Sequence, residues 1–170
     1  MAIWPFKKSR AEADAERLLA QVTGASRRPE LYGQDRAPDT LEGRFEMLTV
    51  HAALALIRLR KDEAAEPLAQ AFTDKFFKVL DSGLREAGVG DTAVPKRMHK
   101  MAGAFYGRLT AYAEALQNRS ELEAALSRNV WRVETHPFGP ELAERMTRLA
   151  AAQAEAPVEA LLDAAVWSAD

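Results

Sequence analysis

The chain has 170 residues, about the size of one ordinary domain, which can bury roughly 70% of the surface that its unfolded form exposes. With 48% hydrophobic and 28% charged residues, it has the composition of a folded globular protein and not of an intrinsically disordered one. Its net charge of -2 gives no reason to expect DNA as a partner, and the absence of cysteine excludes disulfides, thiolate nucleophiles and cysteine-ligated metals.

A first helix is predicted to begin at Ser9, because Glu12 follows three residues later in the pattern of a capping box. Apolar residues then recur at helical spacing until Gly24, namely Ala15, Leu18, Leu19 and Val22. Residues 25–38 contain arginine, proline and glycine without clear periodicity, which predicts an irregular connection on the surface.

The second predicted helix is the candidate for the centre of the fold. Asp39, followed by Glu42, is the expected cap. Two apolar stripes follow: Leu41, Phe45, Leu48, Ala52, Ala55 and Leu59 on one face, and Met47, Val50, Leu54 and Ile57 on another. A helix that is apolar on two faces is expected to be buried on both.

The third helix is expected to open at Asp62 or at Glu66 and to stop at Gly88. Its core-facing residues are predicted to be Leu68, Phe72, Phe76, Val79, Leu80 and Leu84. Pro95 suits the first turn of a fourth helix, whose apolar stripe is Met98, Met101, Phe105, Leu109, Tyr112 and Leu116.

A fifth helix is predicted from Ser120 and Glu123, and two more from Pro140 and Pro157. No alternating strand pattern of useful length separates these segments. We therefore expect an all-α fold: one compact multi-helix domain of about six or seven helices over residues 9–170, preceded by a separate aromatic and basic segment, residues 1–8.

Motifs for catalysis are missing from the sequence. The three histidines, His51, His99 and His136, lack the spacing of a helical metal site, and neither a phosphate-binding loop nor a nucleophile elbow is present. We expect no catalytic residues, metal or cofactor, so the protein is not predicted to be an enzyme. The only motive for an enzyme is that Arg44 and His51 are polar groups in an apolar helix.

Several polar residues are instead candidates for contact with a partner. Arg44 and His51 interrupt the central helix, although they could also be core groups satisfied by their neighbours. Asp81, Arg85 and Asp91 surround a glycine turn, where a bland helix terminus is the alternative. The fourth helix combines an adaptable apolar side with positive charge, although methionine stripes are usually core: Lys96, Arg97, Met98, Lys100, Met101 and Arg108.

The first eight residues suggest a weak membrane contact. Trp4 and Phe6 adjoin Lys7 and Lys8, a combination that suits the interface of a bilayer, although so short a patch could also dock on the domain. The sequence has neither a secretory signal nor a run long enough to span a bilayer. A cytoplasmic protein, peripheral to the inner membrane at most, is therefore expected.

The sequence resembles the ubiquinol-cytochrome c chaperone family over roughly residues 32–116. The resemblance rests on Pro38-Asp39-Thr40, Gly43-Arg44-Phe45-Glu46-Met47-Leu48 with His51, Leu84-Arg85-Glu86, Gly88-Val89-Gly90-Asp91, Val94, Lys96, Met98, and Phe105-Tyr106-Gly107-Arg108 with Tyr112. The sequence departs from the family pattern at Val79, where an acidic residue is expected, and at Ala87, where methionine is usual.

The resemblance implies a bacterial assembly chaperone of the respiratory cytochrome bc1 complex. The mitochondrial members bind newly made cytochrome b and the ribosome, and no catalytic residues come with the family. Asp39 and Tyr106 join the candidate partner-binding residues on this basis. The alternative is a helical lipid- or quinone-binding protein at the membrane surface, suggested by the apolar stripes and the aromatic and basic segment.

Overall fold

Seven α-helices make up most of the part of the chain that the structure describes, residues 9–169 of a computed structural model. They are α1 (Arg10–Ser26), α2 (Leu41–Leu59), α3 (Glu66–Glu86), α4 (Val94–Ala115), α5 (Arg119–Leu126), α6 (Gly139–Glu155) and α7 (Ala164–Trp167). Short 3-10 segments lie at Pro29–Leu31, Glu63–Ala65 and Val158–Leu162, and a π-helical turn lies at Ser127–Trp131. The all-α prediction is confirmed.

Helix α2 is the centre of the fold, as its two apolar stripes predict. It contacts α1, α3, α4 and α6. Met47, Ala52, Ala55 and Leu59 have no exposed surface at all. Because neighbours cover this helix on several sides, its apolar residues supply much of the hydrophobic stabilisation of the domain.

Two of the predicted helix starts are wrong. Thr40, not Asp39, caps α2: its Oγ1 accepts a hydrogen bond of 3.1 Å from the Gly43 amide. Asn118, not Ser120, caps α5, because its Oδ1 accepts from two amides of the first turn. Both Thr40 and Asn118 have the extended backbone that a cap requires, whereas Asp39 lies one residue before the cap of α2 and Ser120 lies within the first turn of α5.

The capping box of α1 is confirmed. Ser9 Oγ accepts a hydrogen bond of 3.2 Å from the Glu12 amide, and Glu12 Oε2 accepts one of 2.8 Å from the Ser9 amide. The predicted opening of α3 is divided between two elements: Asp62 caps the short 3-10 turn, and the α-helix itself begins at Glu66.

Helices α3 and α4 pack through aromatic rings. The ring centroids of Phe76 and Phe105 are 4.7 Å apart, and those of Phe77 and Tyr106 are 5.9 Å apart. Val79, expected in the core, is instead 46% exposed, because Phe72, Phe76, Leu80 and Leu84 form the buried stripe and Val79 lies at its edge.

The C-terminal helices belong to the same core. Trp167 is 2% exposed, and its Nε1 donates a hydrogen bond of 2.8 Å to the Leu161 carbonyl. Arg58 of α2 caps the end of α6 by donating to the carbonyls of Gln153 and Ala156, at 2.7 and 2.9 Å. Over residues 9–169, no helix combines the length and apolarity needed to cross a bilayer.

Candidate functional site

An apolar groove runs between α2, α3 and α4. It consists of two adjoining depressions of about 460 and 230 Å³, which share Leu41, Phe45, Leu84 and Met101 in their walls. The larger depression extends toward Arg132 after the π-helical turn, and the smaller one extends toward the end of α1. We call this continuous surface the groove.

The groove is lined by apolar side chains of graded exposure. Leu80 and Leu84 form a nearly buried floor, at 9% and 8% exposure, and Phe45 and Met101 are half-buried above them. Leu41 and Val79 are 65% and 46% exposed, and they are two of the four large apolar residues that are prominently exposed within residues 9–169. Exposed apolar residues concentrated in one concave place are typical of a binding surface.

Positive charge surrounds the groove at both ends. The basic residues at the α1 end are Arg27 and Arg44, and those at the other end are Arg97, Lys100, Arg108 and Arg132. Glu42 and Glu46 are the only acidic residues in the lining. The groove is thus positive although the whole chain has a net charge of -2.

Four of these basic side chains have no ion pair within the described part of the chain. Arg27, Arg97, Lys100 and Arg132 are exposed, and no carboxylate among residues 9–169 lies within the 4.0 Å of a salt bridge. Charges that are not neutralised internally remain available to a partner.

The wall of the groove is stiffened by a buried ion pair. Glu46 is 6% exposed and accepts two hydrogen bonds from Arg108, of 2.6 Å from Nε and 2.5 Å from Nη2. Arg108 Nη1 also donates to the Ala104 carbonyl at 3.1 Å. Burial raises the pKa of Glu46, while the hydrogen bonds from Arg108 oppose that rise.

Asp39 positions one rim residue from outside the groove. Arg44 Nε donates to Asp39 Oδ1 at 2.6 Å, and this hydrogen bond lowers the pKa of Asp39 and raises that of Arg44. Both side chains of the pair are exposed, so the ion pair contributes little to the stability of the fold. Its main effect is to fix the orientation of the Arg44 guanidinium. This role replaces the capping role expected for Asp39.

Asp81, Arg85 and Asp91 lie together beside the groove without lining it. Arg85 Nε donates to Asp81 at 2.8 Å, and Nη1 donates to Asp91 at 2.5 Å. These bonds connect the last turn of α3 to the loop that follows Gly88. Gly88 has a positive φ of 81°, a backbone conformation that glycine adopts easily. Leu84, the residue before Arg85, is the point at which this cluster adjoins the groove.

His51 is a core residue and lies apart from the surface candidates. It has 0% exposure, and its Nδ1 donates to the Met47 carbonyl at 2.7 Å, which leaves Nε2 without a hydrogen bond. Burial lowers the pKa of His51 to about 4. Of the two interpretations of His51, the structure matches a buried histidine bonded to its own helix.

The remaining predicted residues divide between core, surface and the undescribed segment. Met101 and Arg108 line the groove, together with Arg44. Met98 packs against the core, and Lys96 is exposed but does not line the groove. Tyr106 is 44% exposed, and its ring contacts that of Phe77. Trp4, Phe6, Lys7 and Lys8 lie outside the described residues.

Several residues of the groove follow the same apolar stripes as the core and were therefore not predicted to form a site. Leu41 and Phe45 share a stripe with the buried Leu59. Helical spacing alone does not separate Leu41 from the buried members of this stripe. No pattern in the sequence indicates Arg132, which reaches the groove through the turn after α5.

The comparisons with known proteins agree with the resemblance and extend it. The family model of the ubiquinol-cytochrome C chaperone matches residues 35–167, well beyond Leu116, where the resemblance seen in the sequence ended. The crystal structure of the Cbp3 homolog from Brucella abortus is similar, with a TM-score of 0.81 and 38% identity over 94% of this chain and 93% of that chain. A search of curated protein sequences gives no match.

The structural match covers nearly the whole helical domain, and the family match covers most of it from α2 onward, so neither depends on a single motif. The family match includes the groove residues from Leu41 to Arg132, and it includes α6, which packs against α2. A bacterial relative of similar length and fold is consistent with a bacterial member of the family. The chain is a member of the ubiquinol-cytochrome c chaperone family.

Proposed function

We propose that the protein is an assembly chaperone of the respiratory cytochrome bc1 complex and that it binds newly made cytochrome b through the groove. The observation that carries this proposal is the coincidence of exposed apolar residues, half-buried Met101 and unpaired positive charge on one concave surface. Membership of the chaperone family supplies the class of function.

The chemistry of the groove suits temporary binding of an apolar protein segment. Leu41 and Val79 lose exposed apolar surface when a client covers them, which is favourable. The flexible side chain of Met101 adapts to different apolar shapes. Basic residues at the rim speed the encounter and orient the client, while contributing less to the final affinity.

A place beside the inner membrane, in the cytoplasm, follows from this proposal. Cytochrome b is a membrane protein, so a chaperone that meets it before assembly works near the bilayer and near the ribosomes that make the client. The segment with Trp4, Phe6, Lys7 and Lys8 would supply a weak contact with anionic lipid there. The proposed activity is binding without catalysis.

Deletion of the gene is the direct test of the function. We expect the cytochrome b and bc1 contents of the membrane to fall, as measured by difference spectra and native gels. Unchanged amounts of both would contradict the proposal. Crosslinking in cells, followed by identification of the crosslinked partners, tests the named client, because cytochrome b should be recovered.

The groove is tested by complementing the deletion with Leu41→Glu. Leu41 is largely exposed and lies in the first turn of α2, where a carboxylate suits the helix dipole, so we expect the variant to fold. It should recover less cytochrome b on crosslinking. Ser120→Glu is the matched control, since Ser120 is exposed, lies in the first turn of α5 and is outside the groove lining. Equal recovery with both variants would place the client elsewhere.

A lipid- or quinone-binding role is the second candidate, favoured by the apolar lining of the groove. Flotation with liposomes separates the two roles. The full chain and a chain that begins at Ser9 are compared, because this pair isolates the aromatic and basic segment. Groove-dependent flotation, lost in Leu41→Glu, would favour lipid binding; no flotation of either chain would reject it.

A further inference from the structure

The two ends of the groove have the same charge, and this constrains what it binds. Arg27 and Arg44 line only the smaller depression, while Arg97, Lys100 and Arg132 line only the larger one. Leu41, Phe45, Leu84 and Met101 lie in the stretch that both depressions share. The order along the groove is therefore basic, apolar, basic.

The first eight residues of the chain are poorly suited to fill the groove. They join α1 at Ser9, whereas the groove meets α1 at its other end, at Ser26 and Arg27. The 17 residues of α1 span about 25 Å, and eight extended residues reach at most about 29 Å, so even a fully extended segment would bring only its first one or two residues to the groove. This segment also contains Lys7 and Lys8, which the positive rim would repel.

A second copy of the chain does not fit either. A two-fold interface through the groove would place the same surface on both sides. Because both ends of the groove are basic, a basic end of one copy would face a basic end of the other in either pairing of the ends. Of the five exposed basic side chains there, only Arg44 has a carboxylate partner within the described residues. Like charges facing one another across an interface are strongly unfavourable.

Resting on the function proposed above, we infer that the groove recognises an apolar peptide segment with acidic residues on both sides of it. The apolar centre of such a segment covers Leu41, Phe45 and Met101. Its carboxylates meet Arg27 and Arg44 at one end and Arg97, Lys100 and Arg132 at the other. Glu46 neutralises Arg108, and Asp39 is paired with Arg44, so the four basic residues without an ion pair in the described part of the chain contribute most to selecting the charge of the client: Arg27, Arg97, Lys100 and Arg132.

Peptide binding tests this inference with the full chain. Three labelled peptides of about twelve residues share one apolar centre and have glutamate, glutamine or lysine at both ends. We expect the glutamate peptide to bind about tenfold more tightly than the glutamine peptide in fluorescence anisotropy, and the lysine peptide to bind most weakly. Raising the salt concentration should reduce this preference.

Charge reversal at the rim identifies the residues responsible. Arg97→Glu with Lys100→Glu should lose most of the preference for the glutamate peptide. Both side chains are exposed and unpaired near the N-terminal end of α4, where acidic residues are tolerated, and circular dichroism verifies folding. Arg60→Glu with Lys61→Glu is the control, because these exposed residues lie about 18 Å along α2 from Leu48 of the groove and should leave the preference intact.

The outcomes separate this inference from the proposed function. Equal binding of the three peptides, or a preference unchanged by reversal at Arg97 and Lys100, overturns the inference even if deletion of the gene removes cytochrome b. Binding to vesicles that contain phosphatidylglycerol, without binding to any peptide, also overturns it and identifies lipid as the ligand. A glutamate preference in the peptide assay, combined with an unchanged bc1 content after deletion of the gene, would contradict the proposed function and leave this inference standing.

Discussion

Arg108 holds Glu46 with two hydrogen bonds, of 2.6 and 2.5 Å, across the interface between α4 and α2. The two residues are 62 positions apart in sequence. Because Glu46 is almost fully buried, its carboxylate depends on this guanidinium for compensation of its charge. The pair therefore links the stability of the domain to the shape of the groove wall.

Arg108→Ala is expected to destabilise the protein by about 3 kcal/mol, because it leaves Glu46 buried and without its partner. Urea denaturation followed by circular dichroism measures this change. Glu46→Leu combined with Arg108→Met removes both charges and should cost less than the single substitution. A double variant at least as unstable as Arg108→Ala would show that packing around the pair matters more than its charge.

Gly43→Ala should destabilise the protein by about 1–3 kcal/mol, because a Cβ atom there would lie 2.0 Å from the Pro38 carbonyl oxygen. Backbone atoms cannot move aside as the end of a flexible side chain does. Gly103→Ala is the matched control: nothing lies within 4 Å of its Cβ position, and alanine favours the helix by about 0.5–1 kcal/mol. Thermal denaturation of both variants should show opposite shifts.

The stability of the protein should fall between about pH 6.5 and 4 because of His51. Its pKa is about 4 in the folded state and 6.5 when it is unperturbed, so the unfolded state takes up the proton first as the pH falls. The contribution of neutral His51 to the free energy of unfolding is complete above about pH 6.5. It is lost as the pH approaches 4, and the loss amounts to about 3 kcal/mol at most.

Denaturant titrations at several pH values measure this loss. His51→Gln has no titrating ring and should show a shallower decrease than the natural protein. His99→Gln, a change at an exposed histidine, should keep the steeper decrease. Identical slopes for the two variants would mean that other groups determine the acid sensitivity.

Arg85→Ala and Asp91→Ala should each lower the bc1 content of cells while leaving the purified domain folded. Their side chains are 47% and 88% exposed, and exposed ion pairs contribute little to stability. Arg148→Ala is the matched control, since Arg148 is 50% exposed, is paired to Glu144 and lies on α6. Unfolding of either test variant in thermal melts would instead give Arg85 or Asp91 a structural role.

The helices were predictable because their signals are local. A capping box at Ser9, the prolines at the first turns of α3, α4 and α6, and the apolar stripes of α2 depend on residues only a few positions apart. The caps of α2 and α5 were predicted wrongly, because neighbouring polar residues competed and the sequence does not show which has the extended backbone. Here the error amounts to one or two residues.

The candidate site was predicted only in part. Arg44, Met101 and Arg108 lie at the groove as members of the expected partner-binding set, whereas His51 lies in the core. Leu41 and Val79 were expected to be buried and are exposed. Helical spacing identifies the apolar face of a helix, but it does not show how far along that face a neighbouring helix extends.

By itself, the amino-acid sequence determined the helical class, the helix order, the central position of α2 and the resemblance to the chaperone family, because these depend on local periodicity and motif. Only the tertiary structure decided which apolar residues remain uncovered and which charges surround them. The pairing of Glu46 with Arg108, and the meeting of Arg27, Arg97 and Arg132 around one groove, join residues far apart in the chain. Such contacts arise from the packing of whole helices, which no short window of sequence specifies.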